Sequence, residues 1–502
     1  MTTEALRTVS IVPDASALVE SLRGLGYSTE TALADLLDNS ISANATRIEI
    51  DAQWNDGAPV FAVLDDGEGM DEAPLAAALR FGGDGPNAVR DLSDLGRFGM
   101  GLKTASLSQC RRMTVVSRCN GQNAALILDI DVIGKQGWVA VMPDTLPSHP
   151  LMTGLAGRDR GTLVLWEQMD ARSGLTGLTR ETFFLRLAEI RAHLSMVFHR
   201  FLSGDARKLM IAVNERALKP WDPFQRSHAA TRALGKVNLR LAGKRITVRP
   251  YVLPHRDRFA NDTEYADAGG PGGWGARQGF YIYRGDRLLV AGSWLGLGGS
   301  RAWTREEASR LARIEVDLPT DLDDEWRIDV RKSQARPPGE LRARLTDIAG
   351  SCRNEAREVF AFRGRRTGGG TRTERVHDPV WQAHDVKTGT RYAINRKHPA
   401  VLGFVETTGI SPKLLSGLFS LIEQTVPVER IWLDVSDAEG APPPTPEADA
   451  VEDLAVRLAG LGRALAKDLT PAQRADLLLA NMNEPPSALR IRLLTLLEER
   501  AA

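Results

Sequence analysis

The sequence predicts an α+β chain: an α/β sandwich over the first third, a second α/β domain ending in a long exit helix, and a small α+β and helical region after it. Three observations predict this. A stretch with helical period at residues 30–40 is followed by short β-branched or apolar runs at 47–51 and 60–64. A glycine-rich loop then enters a second helix near residue 101, and strand-like runs at 113–118, 124–131, 137–142 and 161–166 supply the rest of a sheet with helices over one face. Further strand-like runs at 209–213, 246–251, 279–283, 287–291 and 312–318 precede an amphipathic stretch at 340–362.

Taken in order, residues 14–25 read as a short helix with Leu18 and Leu22 on one side, and Ser28 stands where a helix N-cap belongs. In the next helix Leu33, Leu36, Leu37 and Ile41 make a buried stripe, and Asp35, Asp38 and Asn39 share the opposite arc. An acid and an amide four residues apart project together. Asn39 offers a hard amide oxygen to Mg²⁺ and Asp35 a carboxylate that can orient a water, although a solvated polar face explains the same letters. The strand at 60–64 runs into Asp65-Asp66-Gly67-Glu68-Gly69-Met70. A carboxylate at a strand end can accept from an exocyclic amine such as that of adenine, and Gly67 and Gly69 let the backbone approach a planar ligand. Residues 73–80 read as helix and 81–94 as a glycine-rich, charged lid. Gly96-Arg97-Phe98-Gly99-Met100-Gly101-Leu102-Lys103-Thr104 follows, a loop entering a helix whose N–H groups and dipole favour phosphate. It is not the P-loop signature, because Leu102 separates Gly101 from Lys103 and a polar segment, not a strand, precedes it. Gly161 and Thr162 then open an apolar strand.

In this order and spacing the four pieces resemble the Bergerat-fold ATPases, the GHKL superfamily of gyrase, ninety-kilodalton heat-shock chaperones, histidine kinases and MutL. Asp-Asn-Ser after the acid, Asp-Asp-Gly-x-Gly-Met and Gly-x-Phe-Gly-x-Gly-Leu-Lys look most like the MORC and MutL-related branch. The resemblance implies ATP and Mg²⁺ as cofactors. It implies Asn39 as metal ligand, with Asp65, Gly67, Gly69, Met70, Gly96, Gly99, Gly101, Lys103, Thr104 and Thr162 around the nucleotide. Asp35 falls where the superfamily carries a glutamate base and is one methylene shorter, so slow turnover is expected. Residues 1–170 are then the ATP-binding domain and 171–362 a ribosomal-protein-like transducer domain. In relatives a lysine from the transducer reaches the γ-phosphate. The matching residue is Lys332, just past a strand read at 327–330, with Arg331 as the fallback; a solvated loop lysine, or one that pairs with Asp329, explains the same letters. The implied activity is that of an ATP-dependent homodimeric clamp acting on DNA, with a partner nuclease or second ATPase encoded nearby in a bacterial restriction or phage-defence system. A nucleotide-holding regulatory module without turnover, or a chaperone, remains open on the same residues.

The 502 residues carry 64 basic and 64 acidic side chains, so no global field marks the chain for nucleic acid or membrane. Three cysteines without metal-ligand spacing suit a reducing compartment, and no apolar run is long enough to span a bilayer, so a cytoplasmic protein is expected. The acid pairs Asp65/Asp66 and Asp323/Asp324 lack the companions of a nuclease centre. Residues 363–376 read as a basic linker, 377–433 as a small α+β module with a hairpin, 434–448 as an acidic proline-rich linker and 449–502 as amphipathic helices. The basic run at 363–375 is a candidate phosphate-contacting arm, and Leu18, Leu22, Leu92 and Leu95 are candidate dimer contacts.

Overall fold

The computed structural model describes residues 13–24, 26–81, 101–204, 208–299, 301–329, 334–361, 380–386, 389–426, 448–465, 469–479 and 486–499. Gly96, Gly99, Arg331, Lys332, Leu92, Leu95, the lid beyond residue 81, the basic run at 363–375 and nearly all of the acidic linker lie outside the described residues. The chain forms two compact units, residues 1–361 and 362–502.

The first unit opens with α1 (Ala15–Arg23), capped by Asp14, whose carboxylate accepts from the Ala17 N–H at 2.8 Å. Then come α2 (Thr29–Ser42), β1 (Arg47–Gln53), β2 (Val60–Asp65), α3 (Glu72–Leu79), α4 (Gly101–Gln109), β3 (Cys110–Cys119), β4 (Gln122–Asp129), α5 (Ile130–Gln136), α6 (Pro150–Ala156) and β5 (Gly161–Met169). After α7 (Arg180–Val197) and α8 (His199–Ser203), β6 (Met210–Val213) and β7 (Arg216–Ala217) complete a seven-stranded sheet ordered β4-β3-β5-β2-β1-β6-β7. Its neighbours are antiparallel except β1 and β6.

Strand alternation divides this sheet between two cores. Phe61 and Val63 of β2 face the helices α1, α2, α4 and α7, while Ala62 and Leu64 face a smaller cluster with Leu155 of α6. Helices therefore cover more than the one expected face. Two further expectations are corrected. The run at 137–142 is not a strand: it joins the sheet by a single bridge from Val141 to Ile127, because Gly137 turns the chain at φ +77°. The sheet is not finished near residue 170 either, since β6 returns to pair with β1.

The second sheet comprises β8 (Arg232–Ala233), β9 (Val237–Leu241), β10 (Lys244–Val252), β11 (Gly279–Arg284), β12 (Arg287–Ala291) and β13 (Ala312–Leu318). Its order is β12-β11-β13-β10-β8, with β9 also on β10, so β12 is an edge strand. The expected polar insertion at 255–275 holds α9 (Asp262–Gly269) and α10 (Gly273–Ala276). The helix α11 (Gly339–Ala361) buries Leu341, Leu345, Ile348 and Cys352 in a core with Ile246, Val248, Ile314 and Val316. Residues 327–329, read as part of a strand, instead form a turn. Arg327 has φ +47°, and the Arg327 and Ile328 N–H groups donate to the carbonyls of Asp324 and Asp323.

Two buried charge clusters join the sheets. Arg200 of α8 donates to Glu315 and to Asp317 of β13, each at 2.6 Å, with its guanidinium 3.6 Å from the Tyr283 ring. Arg287 of β12 reaches both oxygens of Asp38 on α2 at 3.2 Å.

The second unit holds the expected hairpin, β14 (Trp381–Val386) against β15 (Gly389–Ile394), followed by α12 (Pro399–Thr408) and α13 (Pro412–Thr425). Its last helices, α14 (Ala448–Arg463), α15 (Pro471–Leu479) and α16 (Ser487–Glu498), share a core of Ala455, Ala459, Ala475, Leu489 and Leu493. Among the described residues no helix is long and apolar enough to cross a membrane.

Candidate nucleotide-binding site

Side-chain parity places the site. Residues 61, 63 and 65 share one face of β2, so Asp65 follows Phe61 and Val63 onto the helix-covered side, at the strand end nearest α2. Thr162 of β5 and Ser117 of β3 have the same parity as Val164 and Val115 and lie directly across, in the register Asp65–Thr162–Ser117. Three strands thus deliver three polar side chains side by side. Asp66 has the opposite parity. Its carboxylate instead takes the Thr46 and Arg47 N–H groups at 2.7 and 2.9 Å, pinning the turn before β1.

Asp65 is 6 % exposed, and each of its oxygens is engaged. Oδ2 accepts from the Ser40 hydroxyl at 2.7 Å; Oδ1 accepts from the Gly67 N–H at 2.9 Å and the Thr162 N–H at 3.1 Å. Burial nevertheless pushes its carboxyl above the usual range. A carboxylate offers about four acceptor positions, so three donors leave one for a ligand amine. Gly69, at φ +70°, has no room for a side chain, since a Cβ would strike the Arg118 carbonyl. That close approach brings the Met70 N–H to the Ser117 hydroxyl at 2.8 Å, and Ser117 shares a hydrogen bond of the same length with Thr162.

The arc read on α2 is not solvated: Asp35 is 2 % and Asp38 0 % exposed. Successive residues 38, 39 and 40 point to three different surroundings. Asp38 meets Arg287 of the second sheet, and Ser40 meets Asp65. Asn39 lies between them, with its amide nitrogen buried and without a hydrogen-bond partner among the described residues. Asp35 accepts from the Tyr27 hydroxyl at 3.0 Å, and burial, followed by the Asp35 charge, pushes that hydroxyl up. Gly101, the first residue of α4, stands beside Asp35; a Cβ there would sit 3.9 Å from its Oδ2. Thr104, one turn on, is buried and hydrogen-bonds Tyr27.

Lys103 faces elsewhere. Its ammonium donates to the Ala78 carbonyl at 2.8 Å, in the last turn of α3, and lies 5.9 Å from the Phe81 ring. Burial pushes its pKa down to about 8. The unfolded chain therefore binds a proton that the folded chain releases between about pH 8 and the ordinary lysine value, so this residue makes stability rise with pH across that window. Wild type compared with Lys103→Met by urea denaturation should show the wild type gaining on the variant from pH 8 to 10. Parallel pH curves would refute the assignment.

The 330–333 segment, which contains Lys332, is bracketed by described residues. The Gln334 N–H donates to the Asp329 carboxylate at 2.8 Å, and Asp329 contributes to raising the Tyr27 hydroxyl, so this bracket lies within electrostatic reach of the Tyr27–Asp35 pair. Ser40, Ser117, Tyr27 and Arg287 were not singled out by sequence. Ser40 had a signal, standing next in the Asp-Asn-Ser run; the others had none.

At this site a strand-end carboxylate faces a helix that carries an acid and an amide, on a face of the sheet covered by helices. Residues 27–162 match the family described as histidine kinase-, DNA gyrase B-, and HSP90-like ATPase, and this part of the chain is a domain of that type, related to MutL and MORC ATPases. The DNA mismatch repair protein MutL of Pseudomonas fluorescens (strain SBW25) is 32% identical over 133 residues, which are 25% of this chain and 19% of MutL. MutL of Actinobacillus succinogenes is 35% identical over 121 residues, 24% of this chain and 18% of that protein. The human ATPase MORC2 is 38% identical over 79 residues, 15% of this chain and 8% of MORC2. The chain thus spans less than a fifth of these relatives' length. A domain of this family implies ATP binding.

Proposed function

We propose that the chain binds Mg-ATP at this site and hydrolyses it slowly, as an ATP-gated dimeric clamp. The observation that carries the reading is Asp65, buried at the end of β2 with three donors and one acceptor position left, on the same face as Asn39 and Asp35. The residues present fit the ligand. Asp65 takes the adenine amine, and Asn39 turns an amide with a buried, unengaged nitrogen toward the phosphates, its oxygen the hard donor that magnesium selects. Magnesium would neutralise phosphate charge. Asp35 orients the attacking water, and the Tyr27 hydroxyl holds its carboxylate in place. Lys332 is the proposed γ-phosphate sensor, a compact charge suited to a terminal phosphate. Leu18, exposed on α1, and Leu22, half-buried, suit contact with a second copy. DNA is the proposed partner of the closed dimer, with a partner nuclease or second ATPase supplying chemistry for which this chain has no residues assigned.

The test is nucleotide binding and turnover side by side. Asn39→Ala should lose Mg-ATP binding in calorimetric titration, whereas Asp35→Ala should keep it and stop turnover. Asp35→Glu should retain or raise the rate, because it restores the longer carboxylate. A wild-type chain that binds ATP and never hydrolyses it, with or without DNA, would replace the clamp by a regulatory binding module.

A further inference from the structure

Behind α2, and sharing none of Asp65, Thr162, Asn39 and Asp35 with the nucleotide site, lies a cleft of about 700 Å³ between the two sheets of the first unit. Its walls are Thr31 of α2, one flank of α7, the edge strand β12 and the chain entering α11. Five arginines line it, Arg277, Arg287, Arg305, Arg336 and Arg342, and among the described residues no aspartate or glutamate does. Only Arg287 has a carboxylate, Asp38, within ion-pair distance among the described residues. Arg277 and Arg342 meet carbonyl groups alone, those of Pro271 and Ala291 for the first and of Gly296 for the second. Arg305 and Arg336 are exposed. In a chain with equal numbers of acidic and basic residues, four guanidinium groups around one cavity without a paired acid are a local excess, not a reflection of composition.

His193 of α7 is held neutral, its pKa pushed down to about 3 by burial and by the charges of Arg287 and Arg277. Guanidinium forks match phosphate oxygens in pairs, and a cavity of this volume is far larger than one carboxylate or one phosphate needs. The charge to be matched is about four. Consecutive phosphoryl groups supply that number in a compact ligand; a dicarboxylate supplies half of it.

We infer that this cleft is a binding site for a ligand with several consecutive phosphoryl groups. The inference does not rest on ATP occupying the site at Asp65, and the two can fail separately. Two sources share the chemistry, a free polyphosphate or nucleotide tail and the backbone of a nucleic-acid strand.

The probe is inorganic tripolyphosphate, titrated calorimetrically into the full chain with EDTA present. The variant Arg305→Gln/Arg336→Gln/Arg342→Gln changes exposed side chains that no described carboxylate pairs with, and its thermal melting should match wild type. Saturable binding is expected, weakened about tenfold or more in the triple variant, since each lost guanidinium removes charge-assisted hydrogen bonds. Asn39→Ala should bind tripolyphosphate as wild type does. Binding should also weaken steeply with added salt. Displacement by a short single-stranded oligonucleotide assigns a nucleic-acid source, and failure to displace assigns a free polyphosphate; both support the site. Absence of saturable binding, equal affinity in the triple variant, or loss confined to Asn39→Ala would overturn it.

Discussion

Asp65→Asn is expected to weaken ATP binding on the order of 100-fold while the protein melts no lower than wild type. The reason lies in how its oxygens are used. Oδ1 holds two N–H donors, from Gly67 and Thr162, and an asparagine must keep its oxygen there. Its NH₂ then occupies the place of Oδ2. The Ser40 hydroxyl can turn and accept from it, so the protein loses no hydrogen bond, but an adenine amine arriving at the fourth position meets a donor instead of an acceptor. Because burial already opposes the Asp65 charge, removing that charge relieves the folded state. Asp66→Asn is the control: its contacts are with Thr46 and Arg47, away from the site, and it should leave ATP affinity unchanged. Calorimetric titration of both variants decides the matter. Wild-type affinity in Asp65→Asn would remove adenine from this position.

Arg287→Ala should destabilise the first unit by about 3–5 kcal/mol, because it leaves the fully buried Asp38 charge without its guanidinium. Replacing both partners, with Arg287→Leu and Asp38→Leu together, should recover most of that loss, since apolar side chains remove the buried charge altogether. Urea denaturation of the two variants measures the difference. A loss below about 1 kcal/mol in Arg287→Ala would class the pair with exposed salt bridges and deny it a structural role.

The contrast between these two acids shows what could be read from sequence. Asp65 was legible as a strand-end carboxylate because a strand has a period of two and a glycine turn marks its end, so its place and its face follow from a few consecutive letters. Asp38 was not legible as a buried charge. Its partner is 249 residues away, and helical periodicity alone put it on a polar arc. The same limit applies to strands. Residues 209–213 have strand composition, yet nothing local tells that β6 pairs in parallel with β1 and not with the sheet that follows it. Ser117 comes from a strand with no glycine or acid to flag it, and is placed by register with Thr162. The run from 327 read as a strand, and capture of two N–H groups by the Asp323 and Asp324 carbonyls turned the chain instead.

Positions 38 and 40 of α2 are fastened to an arginine of the second sheet and to the carboxylate at the end of β2, and position 39 between them holds an amide whose nitrogen has no partner among the described residues. Adjacent helical residues differ by about 100° in direction, so this sharing exists only at one rotation of the helix. Inserting or deleting a single residue upstream in α2 would carry all three side chains to wrong bearings together, and no local relaxation could restore one without losing another. The helix can vary in its letters but not in its count.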